Sequence, residues 1–233
     1  LVSICDTNPV KLEKYGKIYG VPAENLFSDD DSFFKQKRAD LLVVATQDVD
    51  HVWQAVEGLK LGYDLLLEKP VSASREECLR LLETQKKYGG KVLVCHVLRY
   101  APSFRRAFDL LREGAIGRLV AIQAIEQVAY WHQAHSYVRG NWRRTEDTTP
   151  MILAKCCHDL DLLQWYANSP CESVSSVGGL TFFNAENAPE GSAARCSDCS
   201  LKDTCPYSAY RLYIERWKKY GSPENGWPFN VLT

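Results

Sequence analysis

The stretch Ala39-Asp40-Leu41-Leu42-Val43-Val44-Ala45-Thr46 is an apolar run that ends in small and polar residues. After one helical segment, His51 to Leu61, Tyr63-Asp64-Leu65-Leu66-Leu67-Glu68 repeats the pattern. Leu and Val in sequence without polar alternation are expected of strands buried on both faces. A helix of about a dozen residues between two such strands implies parallel pairing through a crossover. Upstream, Leu1-Val2-Ser3-Ile4-Cys5-Asp6 is a shorter run ending in an acid, followed by a polar-faced helix from Pro9 to Tyr19. Downstream come a helix from Arg75 to Tyr88 and a strand from Lys91 to His96. The series predicts a doubly wound α/β unit over residues 1–98. It opens directly on a strand without Met or a flexible lead-in, so the native start is expected upstream.

Beyond residue 98 the rhythm changes, and residues 99–233 are expected to form a second, α+β domain. Phe104 to Glu113 reads as a helix closed by Gly114, Leu119 to Val128 as a strand of alternating polarity, and Met151 to Ala167 as a helix. Val174 to Phe183 is expected to be a strand and Ala209 to Lys219 a helix.

The 28 Lys+Arg against 29 Asp+Glu leave a formal net charge of -1, so no basic footprint for nucleic acid or an anionic membrane is expected. No apolar run approaches the roughly 20 residues of a spanning helix, and a cytoplasmic protein is expected. Nine cysteines are many, yet the odd number and their positions inside strands and helices fit thiols better than a disulfide framework.

Ligands of parallel sheets bind at the carboxyl ends of the strands, which directs attention to Asp6, Thr46 and Glu68-Lys69-Pro70. A carboxylate at Asp6 suits the ribose hydroxyls of a dinucleotide, or equally a helix cap. His51 opens a helix either as a ligand contact or as a capping histidine. A lysine at position 69, beside a proline of fixed backbone angle, can bridge a substrate hydroxyl and a nicotinamide and exchange the proton as hydride leaves.

In that order and spacing, Asp6, the Ala45-Thr46...His51 turn, Glu68-Lys69-Pro70, Arg99-Tyr100 before Gly114-Ala115-Ile116-Gly117, and His158...Asp161...Trp165 resemble the Gfo/Idh/MocA oxidoreductases. The resemblance covers nearly the whole chain. It implies a Rossmann-type parallel sheet whose first strand and glycine-rich loop lie upstream, then a domain with an open mixed β-sheet that backs the substrate site and forms the oligomer interface. It further implies Lys69 and His158 as catalytic residues, and cofactor contacts from Asp6, Ala45, Thr46, His51, Glu68 and Lys69. NAD is expected before NADP, because the carboxylate of Asp6 repels a 2'-phosphate. The substrate class is a sugar or polyol, with a homo-oligomer as the assembly. Many members carry Asp four residues before the histidine; here Ala154 stands there and Lys155 follows, so Lys155 as a second cation or Asp159 as a substitute acid are the expectations.

The segment Tyr130 to Arg143 is rich in aromatic rings, His, Asn and Arg, which suits a sugar's C–H faces and hydroxyls or, alternatively, a buried domain interface. His132, His135, Arg139 and Trp142 are its candidate substrate residues, together with Arg99. Cys196, Cys199 and Cys205 have the close spacing of a metal site, giving a structural zinc, an iron–sulfur centre, a redox pair or plain thiols as the readings. Hydride transfer to or from a carbohydrate or cyclitol is the leading function. A glycoside hydrolase that uses NAD in a transient redox step, and a non-catalytic sensor, are the alternatives.

Overall fold

A computed structural model describes residues 1–220; residues 221–233 of the expected second domain lie outside the described residues. Two compact units emerge. The first comprises residues 1–124 and 144–168, the second residues 125–143 and the chain from Ser169 onward.

The first unit begins with β1 (Ile4–Cys5), α1 (Pro9–Tyr19), β2 (Leu26–Phe27) and α2 (Asp30–Phe33). It continues through β3 (Leu41–Val44), α3 (His51–Lys60), β4 (Asp64–Leu67), α4 (Arg75–Tyr88), β5 (Val92–Val94) and α5 (Pro102–Arg112). Two helices, α7 (Met151–Ala154) and α8 (Cys157–Ala167), complete it, after α6 (Tyr130–Gln133) of the second unit. All strand pairing among the described residues is parallel: β1 with β2, and β3 with β4 with β5. The α/β architecture is therefore present as read. The short β2 and α2 went unread because two-residue strands carry no period.

Local chemistry explains the well-defined helix ends. Asn8 accepts from the backbone N–H groups of Val10 and Lys11 at the start of α1, and Gly20 at φ 64° closes it. Ser74 accepts from the Glu77 N–H at the start of α4, with Glu76 and Glu77 in its first turn and Lys86 and Lys87 in its last, each favourable to the helix dipole.

The core lies between the three-stranded sheet and α3. Leu42, Val44, Leu65 and Leu67 meet Val52, Ala55, Val56 and Leu59, and Leu81 of α4 joins the same cluster. At Gly58 a Cβ would stand 2.7 Å from Leu42 Cδ2 and 3.0 Å from Leu65 Cδ2, so the missing side chain lets α3 lie close on the sheet. β3 is buried on one face only: Leu41 and Val43 are each 53% exposed. The expectation of two buried faces fails there because α3 and Leu81 of α4 pack on the side of Leu42 and Val44, while the other side is uncovered among the described residues. The facing edges of β1 and β3 border a cleft of about 890 Å³ lined by Ile4, Leu41, Val43, Phe34 and Tyr63 among others.

No strand follows Val94 among the described residues. Residues 119–128 and 174–183 have the alternation of strands but no ladder, and Val120, Ile125, Val174 and Val177 are exposed. Alternation selects which face of a strand is buried; it does not supply the neighbour whose N–H and C=O groups complete the pairing. The expected open mixed sheet is accordingly absent from the described residues. The helix expected over Met151 to Ala167 is broken at Lys155–Cys156 into α7 and α8, and the last helix starts as a π-helical segment, Tyr210–Glu215, before α9 (Arg216–Tyr220). No described helix is long and apolar enough to cross a membrane.

Leu67→Ala, at a fully buried position, is expected to destabilise the protein by about 3 kcal/mol, whereas Leu93→Ala on the exposed face is expected to change stability by about 0.5 kcal/mol or less. Urea unfolding midpoints of the two variants check this.

Candidate functional site

Parallel pairing brings the carboxyl ends of β3, β4 and β5 to one edge, and the sequence-predicted residues of the first unit sit at strand ends. Asp6 follows β1 and is half-buried. Its Oδ1 accepts from the Asn8 N–H at 2.8 Å, so one carboxylate oxygen braces the turn into α1. Ala45 and Thr46 follow β3 and are exposed. Thr46 Oγ1 donates to Gln54 Oε1 at 2.6 Å, Gln54 Nε2 donates to Asp30 Oδ1 at 3.3 Å, and Cys5 Sγ donates to the same oxygen at 3.8 Å. This chain ties the end of β1 to the end of β3. Burial, and then the charge of Asp30, push the Cys5 thiol up to about 12, so it stays a protonated donor.

The Glu68-Lys69-Pro70 turn is held from three directions. The Glu68 N–H donates to Val44 O at 2.9 Å, and the Lys69 N–H donates back to Glu68 Oε2 at 3.2 Å. The Lys69–Pro70 peptide is cis. His51 is 1% exposed, with Nδ1 2.8 Å from Pro70 O and Nε2 3.2 Å from Thr46 O. Both ring nitrogens thus face carbonyl oxygens, and whichever carries the proton donates to its own; His51 therefore sits between the β4 turn and the β3 loop with neither nitrogen turned toward a ligand.

Lys69 Nζ donates to Ala154 O at 3.0 Å, the carbonyl of the last residue of α7. His158 lies in the first turn of α8. Its Nδ1 is buried without a hydrogen-bond partner among the described residues, and the same is true of His96 Nδ1. The two imidazoles meet edge to face at 5.9 Å. Burial holds the His158 pKa below the usual imidazole range; the positive charges of Lys69, His96 and Lys155 add to this, and Asp159 opposes them weakly. The ring is thereby held toward its neutral form near the Lys69 side chain. Arg99, expected to touch substrate, makes a two-pronged bond to Asp161, Nε to Oδ2 and Nη2 to Oδ1, both 2.7 Å. Its guanidinium also lies 5.4 Å from the centre of the Trp165 ring, which stacks on Phe108 at 4.1 Å.

The second unit gathers the remaining aromatic candidates among themselves. Arg139 Nε donates to Ala134 O at 3.0 Å and Nη2 to Tyr207 O at 2.7 Å, and His135 Nδ1 bonds the Tyr213 hydroxyl. His132 stacks between Trp131 and Tyr137, and Trp142 lies tilted against Tyr137. The expected zinc or iron–sulfur centre at Cys196, Cys199 and Cys205 is not supported: no group of three or more His, Cys, Asp or Glu side chains among the described residues is gathered to hold a metal. Cys196 Sγ instead accepts from the Ala209 N–H at 3.4 Å, just before the π-helical segment. The spacing supplied three sulfurs, but among the described residues they are not gathered into a group that could hold a metal.

Two residues escaped the sequence reading. His96 looked like the polar end of a strand, and only its packing against His158 gives it meaning. Asp48 looked like a turn residue; it is 4% exposed and accepts from Thr148 Oγ1 at 2.6 Å, from the Thr149 N–H at 3.1 Å, and from Thr149 Oγ1. A pairing across 100 residues leaves no local signature.

The profile of an oxidoreductase family with an NAD-binding Rossmann fold matches residues 1–96, and that of the GFO/IDH/MocA C-terminal domain matches residues 104–196. The Bacillus subtilis protein YteT, which bears an oxidoreductase name, is 27% identical over 217 residues, covering 89% of this chain and 50% of its own. Inositol 2-dehydrogenase 2 of Saccharopolyspora erythraea is 27% identical over 64% of this chain and 42% of its own length. Among solved structures, the WlbA dehydrogenase of Bordetella pertussis, in complex with NADH and UDP-GlcNAcA, is 27% identical with a TM-score of 0.56 over 71% of this chain and 47% of that one. The chain thus spans about half the length of the curated relatives it matches.

The low His158 value has a definite sign. The folded chain resists protonating this ring more than the unfolded chain does, so its contribution to stability is present above the ordinary imidazole range and is lost as pH falls through the folded value. His135, depressed by burial and by Arg139 and His132, acts in the same sense. His158→Gln is expected to flatten the decline in thermal stability between about pH 7 and about pH 5, which melting curves at stepped pH would measure.

Proposed function

The chain belongs to the Gfo/Idh/MocA oxidoreductases, an NAD-binding family, and on that premise we propose that the whole protein interconverts a secondary hydroxyl and a ketone on a cyclitol or sugar. The observation that carries this reading is the pair Lys69 and His158, a lysine near a half-buried imidazole held toward its neutral form, whose Nδ1 has no hydrogen-bond partner among the described residues. Such a nitrogen would accept a proton from a substrate hydroxyl brought to it.

The strand ends fit a dinucleotide by donor chemistry. Asp6 offers a carboxylate for ribose hydroxyls, the small Ala45 leaves the end of β3 open, and Thr46 adds a hydroxyl there; the carboxylate favours NAD over NADP. A nicotinamide, when bound, supplies or accepts the hydride at the reacting carbon. Lys69 would hold the substrate oxygen and stabilise negative charge that develops on it. His158 would take the hydroxyl proton at Nδ1 in oxidation and return it in reduction. His51 would act by fixing the Lys69 turn, with no contact to the cofactor required. Residues 1–98 would form the dinucleotide part and residues 99–233 the substrate part, a division supported by the matches over residues 1–96 and 104–196. The inositol dehydrogenase and the sugar-nucleotide complex among the relatives support the substrate class.

The test is a panel of cyclitols and sugars with NAD and NADP, read by absorbance of reduced nicotinamide. Lys69→Ala and His158→Gln are each expected to lower kcat/KM by about a hundred- to ten-thousand-fold. Release of sugar from glycosides with no net reduced nicotinamide would assign the redox-neutral hydrolase reading instead.

A further inference from the structure

We propose that Asp48 is a positioning residue of this site: its buried carboxylate bolts the segment that leads into α7 to the loop that follows β3, and so sets Lys69 against His158. The proposal rests on the roles given above to Lys69 and His158. Asp48, Thr148 and Thr149 are all buried, at 4%, 6% and 2% exposure. A carboxylate at that depth is stable only when charge-assisted donors replace its water. Three are present: the hydroxyls of Thr148 and Thr149 and the Thr149 N–H.

What makes the bolt matter is where its two sides lead. On the side of the β3 loop, Thr46 O faces His51 Nε2, and His51 Nδ1 faces Pro70 O, next to Lys69. On the other side, Thr149 precedes Pro150, whose carbonyl accepts from the N–H groups of Leu153 and Ala154, both at 2.9 Å. Ala154 O in turn accepts from Lys69 Nζ. The contacts close into a ring that runs from Asp48 through Thr149, Pro150, Ala154, Lys69, Pro70, His51 and Thr46 back to Asp48. Its one link through a long flexible side chain is Lys69 itself. Without Asp48, α7 loses its tie to the β3 loop; Arg99 still holds α8 through Asp161, but the link from the β4 turn to α7 runs through that flexible lysine, and the spacing of ammonium and imidazole loosens. Errors of about 1 Å in such a spacing cost on the order of a hundredfold in rate.

The experiment compares Asp48→Ala, Asp48→Asn and Thr148→Val with the wild type, by two readouts. The first is the titration of the His158 ring followed by NMR, which needs no substrate. The groups that face this ring are Lys69 from the β4 turn, His96 from the end of β5, and Lys155, Cys157 and Asp159 from its own helical segment. Asp48→Ala is expected to move the titration upward toward an ordinary histidine, as burial and the nearness of Lys69 relax. Asp48→Asn, which keeps an acceptor oxygen for the Thr149 N–H, is expected to stay close to wild type. The second readout is steady-state kinetics on the whole protein, where Asp48→Ala is expected to lower kcat by about tenfold or more while KM for the dinucleotide holds within about twofold.

A folded Asp48→Ala protein with unchanged His158 titration and unchanged kcat would overturn the proposal. So would a variant that merely melts earlier while keeping both readouts. If Asp48→Ala does not fold, Thr148→Val decides: a raised His158 titration and a several-fold loss of kcat support the bolt, and wild-type values refute it. Should no substrate turn over in any variant, the oxidoreductase reading fails alone, because the NMR titration still reports whether Asp48 sets the ring's surroundings.

Discussion

Parallel strand pairing is the constraint on which everything else in the first unit depends. Strands that run the same way end on the same edge, and each return crossing is made by a helix whose start faces that edge. Once Leu41–Val44, Asp64–Leu67 and Val92–Val94 are paired in register, the residues that follow them have nowhere else to go. Thr46, Lys69 and His96 are brought together by backbone geometry before any side chain chooses a partner. The burial of α3 through the close contact at Gly58 then holds the sheet and its edge in place.

Side chains refine what the sheet provides, and most of the polar residues near the edge act on backbone or on one another. His51 joins two turns, Arg99 joins the end of β5 to α8 through Asp161, and Asp48 joins the β3 loop to the approach to α7. Against this satisfied background, the bare Nδ1 of His158 stands out, because buried polar atoms are nearly always paired. The downward shift of its pKa comes chiefly from burial, with Lys69, His96 and Lys155 acting in the same direction. The surrounding bonds leave this nitrogen, and Nδ1 of the neighbouring His96, without a hydrogen-bond partner among the described residues.

The elements with strong local signals were legible in the sequence. Arg75–Tyr88 carries its own cap, charge gradient and length, and it folds over the residues expected. Lys69 and His158 were found through motif order, and the fold brings Lys69 onto Ala154 O and within electrostatic reach of His158. Other features depend on distant partners and left no such trace. Val174 and its alternating neighbours look like a strand, but a strand is a relation between two segments, and no second one is beside it among the described residues. Arg99 and Arg139 looked like free hooks for a sugar because a cation's partner cannot be read from its neighbours in sequence. Cys196, Cys199 and Cys205 looked like ligands since spacing alone does not show whether the sulfurs converge.

The cleft between β1 and β3 has a topological side. Each of those strands is paired on one edge only among the described residues, and Leu41 and Val43 flank the opening with half their surface in water. One further parallel strand laid in that seam would satisfy both open backbone edges at once and join the two small sheets into a single one. Apolar side chains on such a strand would find Leu41 and Val43 waiting for cover, so the seam reads as a place for a strand of the same sheet.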